Sequence, residues 1–73
     1  MKTGKLIEAI MQYKHVGIEE LAQKMDIAQP NMTALILGNR KITPQLAQKI
    51  EDALDIDSIV IMTNRTMEDL KVL

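Results

Sequence analysis

The stretch from Ile18 to Gly38, IEELAQKMDIAQPNMTALILG, reads as two short helices joined by a three-residue turn. Ile18, Leu21, Ala22 and Met25 fall at i, i+3, i+4 and i+7, the spacing that lines one face of a helix. The pattern breaks at Asp26-Ile27-Ala28 and resumes with Met32, Leu35 and Ile36 turned inward. Gly38 then supplies a residue that takes up left-handed backbone without steric cost, which is a helix stop. Gln29, Asn31 and Thr33 lie between the apolar positions and give the second helix a neutral, hydrogen-bonding outer face. Amide and hydroxyl groups on the leading turns of a helix reach base edges in a major groove, and Asn or Gln matches the donor and acceptor pair of adenine. This is the layout of a DNA-binding helix-turn-helix, with Gln29–Leu37 as the reading helix.

The flanks extend the pattern. Thr3 is a candidate cap for a first helix in which Leu6, Ile7, Ile10 and Met11 form the apolar stripe and Lys14-His15-Val16-Gly17 ends the run. After Gly38, Asn39-Arg40-Lys41-Ile42 reads as a polar loop holding one apolar residue that plugs back into the core. Thr43-Pro44 restarts a helix, with threonine as N-cap and proline at the first position, where its missing N–H costs nothing. Leu46, Ala47, Ile50, Ala53 and Leu54 give that helix its stripe.

The β-branched run Ser58-Ile59-Val60-Ile61-Met62 is ambiguous between strand and helix on periodicity alone. Asp57 and Ser58 are suitable starters for a fifth helix from about Ser58 to Lys71, with Ile59, Met62, Thr66 and Leu70 on one face. Four successive apolar residues cannot all turn inward in either geometry. Ile59, Val60, Ile61 and Met62 are therefore expected to meet a partner, most simply a second copy of the chain. The expected fold is a single all-α domain of five helices over residues 1–73, with a dimerisation segment over 58–73.

At 73 residues such a domain buries only about 60% of the surface its unfolded chain exposes. Tyr13 is the one aromatic residue, so there is no platform for stacking unpaired bases, and double-stranded DNA is the better nucleic-acid candidate. The absence of cysteine excludes disulfides, thiolate metal sites and thiol nucleophiles. With no long apolar span or signal-peptide pattern, a cytoplasmic protein away from membranes is expected.

The net charge of −1, from 9 basic and 10 acidic residues, runs against phosphate binding unless charge is segregated. Asn39-Arg40-Lys41 follows the reading helix, whereas Glu51, Asp52, Asp55 and Asp57 cluster later. Those carboxylates lack the spacing and glycine of a calcium loop and are expected to solvate a helix end. His15 has no ligand-spaced neighbour. No Gly-rich phosphate loop or nucleophile elbow occurs, so no catalytic residue, metal, cofactor or small-molecule substrate is expected.

Leu21-Ala22-Gln23-Lys24-Met25, the run Met32 to Gly38, Arg40, and Ile42-Thr43-Pro44 through Ala47, Ile50 and Ala53-Leu54 together resemble the Xre/Cro repressor domain. Within that superfamily, Leu37 to Pro44 followed by the Ala47 helix looks most like HigA-type antitoxins and their chromosomal or phage relatives. The resemblance implies a lambda-repressor-like domain that dimerises and represses from a palindromic operator, often its own promoter. For the antitoxin branch it also implies a toxin protein as partner. Several positions depart from the family. Ile18 stands where a phosphate-contacting glutamine is usual, and Asp26 where glycine is common in the turn. Met11 and Ile36 stand where some relatives have an ion pair, and Ile61 lies near the place of a frequent tryptophan.

Gln29, Pro30, Asn31, Thr33 and Ala34 match the family positions that face the groove, Gln29 being the best base reader on chemistry. Asn39, Arg40 and Lys41 are positioned to clamp phosphates through side chains and backbone N–H groups. The other class of function is a protein-interaction module that keeps the helix-turn-helix scaffold without strong DNA binding. The acidic balance, Ile18 and the apolar C-terminal segment favour it.

Overall fold

Five helices form in the computed structural model, which describes residues 2–57 and 60–70: α1 Thr3–Lys14, α2 Ile18–Lys24, α3 Gln29–Leu37, α4 Pro44–Leu54 and α5 Val60–Leu70. The all-α class is the expected one, and no strand occurs among the described residues. Helix α1 packs against α3, α4 and α5, α2 against α3 and α4, and α4 against α5. The core is aliphatic and thioether: Ile7, Met11, Leu21, Met25, Met32, Leu35, Ile42, Ile50, Leu54 and Ile61 are all buried. Ile42 plugs back from its loop as the sequence implies. The Thr43 hydroxyl accepts the Leu46 N–H at 3.2 Å, with Pro44 opening α4.

Four helix ends share one device. At the ends of α1, α2, α3 and α4 the backbone turns left-handed at His15, Asp26, Gly38 and Asp55. The following N–H reaches back to the last turn: Val16 to Met11, Ile27 to Ala22, Asn39 to Ala34 and Ile56 to Glu51, at 2.9–3.1 Å. After α1, α2 and α4 the residue making that bond is apolar and packs on the core, as Val16, Ile27 and Ile56 do. After α3 it is the exposed Asn39, so the chain stays on the surface through Lys41. Asp26 takes the left-handed turn position with φ 56°, a conformation that aspartate tolerates better than most residues.

Three expectations are corrected. Thr3 does not cap α1, since Lys2 occupies that position and Thr3 is buried in the first turn. Its hydroxyl donates to Glu68 Oε1 at 2.7 Å and its N–H reaches the same carboxylate at 3.2 Å, so α1 is capped from α5. Glu51 does not solvate a helix end. It is fully buried on α4, and its Oε2 accepts the Ile61 and Met62 N–H groups at 2.8 and 3.0 Å. A buried carboxylate thus satisfies donors that every helix start leaves unpaired, and its charge suits the positive end of the helix dipole.

The third correction concerns the rotation of α5. Ile61, expected with its neighbours to meet a partner, faces the core, whereas Thr66 and Leu70, grouped with Met62 on one face, are exposed. The polar ties set this phase: Glu51 at one end, Glu68 on Thr3 at the other, and Arg65 Nε donating to the Ile42 carbonyl at 2.9 Å between them. The expected bounds at Ser58 and Lys71, and Ile59 with them, lie outside the described residues.

The Glu68 carboxyl is held below the ordinary glutamate range, chiefly by the Thr3 hydroxyl, with partial burial opposing and the Thr3 N–H and Lys2 charge assisting. A depressed carboxylate stabilises the fold above its unfolded-state value, and the contribution is lost as pH falls through the folded value. Melting wild type and Glu68→Gln from about pH 7 to about pH 3 is expected to show their difference in stability shrinking on the acid side. A difference that stays constant across that range would contradict the assignment.

Candidate nucleic-acid interface

Helices α2 and α3 are held as a unit by the left-handed turn at Asp26 and by the burial of Leu21, Ala22, Met25, Met32 and Leu35 beneath them. With Met32 and Leu35 fixing its inner side, α3 turns Gln29, Pro30 and Asn31 fully outward. Thr33 and Ala34 are half-buried at the flanks of the same face. Pro30 opens the helix where no N–H is needed, and Ala28 caps it without a side-chain bond, leaving the first turn sterically open. All five residues proposed to face a groove are therefore on or at the edge of the solvent face.

One neighbour was not singled out by the sequence pattern. Leu37 is 66% exposed and lies four residues past Thr33 and seven past Pro30, on the same side of α3. The i+4 and i+7 spacing from Thr33 and Pro30 was the available signal. A leucine there offers apolar contact of the kind a thymine methyl accepts.

Asn39, Arg40 and Lys41 are exposed in succession, and the Asn39 and Arg40 N–H groups both bond to the Ala34 carbonyl. The loop is thus fixed to the end of α3 with its cations facing out, and the Asn39 and Arg40 N–H groups, expected to meet phosphates, are instead taken by that carbonyl. The start of α2 is different, because its first turn carries Glu19 and Glu20 behind Gly17. Glu20 also pairs with Lys24 at 3.7 Å. Carboxylates at that end offset the helix dipole and repel an anion, and the apolar Ile18 offers no polar side chain there.

The residues expected at a dimer contact separate in the structure. Ile61 is fully buried in the chain's own core, which removes its side chain from any contact with a second copy. Met62 is half-buried against the core, Val60 is exposed, and Ile59 lies outside the described residues. The exposed apolar positions of α5 are Val60, Met67 and Leu70, which fall on one side of the helix at i, i+7 and i+10. Among the described residues, no helix is long and apolar enough to cross a membrane. Comparisons of the chain with protein-family models, curated proteins and solved structures gave no match.

Proposed function

We propose that the protein is a sequence-specific regulator of transcription that binds double-stranded operator DNA through α3, as Xre/Cro-type and HigA-type repressors do. The observation that carries this reading is the outward presentation of Gln29 and Asn31, with Thr33 half-buried beside them, on a helix locked to α2 by a left-handed turn and followed directly by an exposed cationic loop. In this reading Gln29 and Asn31 bond to base edges, Pro30, Thr33 and Ala34 shape the contact, and Asn39, Arg40 and Lys41 hold phosphates. The site acts by occupancy: a protein in the groove blocks a promoter, and no bond of the DNA is made or broken.

A homodimer, cytoplasmic like the DNA it reads, joins two such helices about 34 Å apart, one turn of duplex. Linking two weak half-site contacts supplies the avidity that a chain with net charge −1 needs. Val60, Met67 and Leu70 are the surface proposed for the second copy. The same apolar face favours a second reading, in which the scaffold binds a protein, a toxin among the candidates, and contacts DNA weakly. Titrating labelled random duplex at low and moderate salt separates the two, because a DNA reader binds and weakens with salt.

Selection of bound sequences from a random duplex pool tests the role of Gln29. Gln29→Ala is expected to cost about 1–3 kcal/mol at the preferred site and to relax the preference at one base pair. An identical selected motif for variant and wild type would remove Gln29 from base reading.

A further inference from the structure

A cleft of about 480 Å³ opens between the start of α1 and the end of α3 with its following loop, and α5 closes one side. Five cationic side chains line it from three places in the chain: Lys2 and Lys5 at α1, Arg40 and Lys41 in the loop, and Arg65 on α5. The two carboxylates present are already engaged, Glu68 with Thr3 and Glu8 with Lys5 at 3.7 Å. Arg65 is oriented along the wall by its bond to the Ile42 carbonyl. Among the described residues, Lys2, Arg40 and Lys41 have no carboxylate within 4.0 Å.

A chain that is acidic in sum has thus gathered an excess of positive charge on one concavity, where low-dielectric walls concentrate the field. The cleft begins where the reading helix ends, since Leu35, Ile36, Leu37 and Gly38 form part of it. The opposite flank, at the start of α2, carries Glu19 and Glu20 and disfavours an anion. A duplex lying along α3 therefore meets its strongest attraction for backbone on the cleft side.

We infer that a phosphate of the DNA backbone seats in this cleft, held between Lys2 and Lys5 of α1 on one wall and Arg40 and Lys41 of the loop on the other. The inference rests on the DNA-binding reading and extends the contact surface to a helix outside the α2–α3 unit. Lys2 and Lys5 are exposed, so their replacement leaves the core untouched.

The test is fluorescence anisotropy of the full chain with a random-sequence duplex over a series of salt concentrations. For Lys2→Ala/Lys5→Ala the slope of log affinity against log salt is expected to be shallower by about 0.9, the loss of one phosphate contact. Over a roughly fourfold rise in salt, the double variant then loses about 3.5-fold less affinity than wild type. Lys49→Ala, which removes a charge on α4 away from the cleft, is expected to keep the wild-type slope. A wild-type slope in the double variant overturns the inference and leaves DNA binding standing. Equal flattening per charge by Lys49→Ala overturns it too, because the effect would then be one of net charge. A wild-type chain that binds no duplex removes both this inference and the reading beneath it.

Discussion

Gly4→Ala is expected to destabilise the protein by about 3 kcal/mol, against the usual direction for a glycine inside a helix. Gly4 is buried in the first turn of α1, directly on the last turn of α3. A Cβ there would overlap the Ile36 carbonyl oxygen and stand 2.8 Å from its carbonyl carbon. The obstacle is backbone, which cannot rotate aside as a side chain can, so α1 and α3 must separate. Their separation would also shift the end of α3 and the loop after it, and under the proposed function DNA affinity is expected to fall along with stability. Gly17→Ala is the matched control, since a Cβ there meets nothing within 4 Å, and it is expected to stay within about 1 kcal/mol of wild type. Urea unfolding of the two variants checks the contrast, and a Gly4→Ala protein as stable as wild type would disprove the close approach.

The other large effect is expected at Glu51. Glu51→Ala removes the acceptor of two N–H groups at the start of α5, one of them on the fully buried Ile61, and opens a void beside them. Hydrogen bonds to a charged group contribute about 1.5–3 kcal/mol each, and a buried donor left without a partner carries its full desolvation cost. A loss of about 4 kcal/mol is expected, comparable to the whole stability of a domain of this size. Glu51→Gln keeps an oxygen for the two donors while removing the charge, and is expected to lose about 1–2 kcal/mol. Guanidinium unfolding ranks the three proteins, and an alanine variant within about 1 kcal/mol of wild type would exclude the capping role.

These two residues mark the boundary of what the sequence discloses. The bihelical unit, the Thr43-Pro44 start of α4 and the Ile42 plug are local devices, each written in residues within a turn or two of one another. They appear in the structure where the spacing puts them. Gln29, Asn31 and Thr33 were legible for the same reason, because helical period decides which side Met32 and Leu35 leave to solvent, whereas Pro30 and Ala34 entered only through the resemblance. The rotation of α5 was not legible. It depends on Glu51 from the preceding helix and on the Thr3–Glu68 bond, which spans 65 residues of sequence. Apolar pattern grouped Met62 with Thr66 and Leu70 and did not single out Ile61, whose place in the core goes with the Glu51 hydrogen bonds to the Ile61 and Met62 N–H groups. Gly4 reads in isolation as a poor helix former. Its meaning lies in the carbonyl it approaches. The cationic cleft was half visible, in Arg40 and Lys41, but its other wall comes from the start of the chain.

The manner in which each helix stops has a consequence for how this molecule can change. After α1, α2 and α4 an aliphatic residue returns at once to the interior, so those linkers are tied to the core and drift in them is felt as instability. After α3 the chain runs outside for four residues, Gly38 to Lys41, before Ile42 re-anchors it. The side chains at 39, 40 and 41 are thereby uncoupled from folding, and substitutions among them are open to selection on attraction for a polyanion alone. The protein carries a small tunable dial beside the outer side of α3, set in a frame that does not register its position.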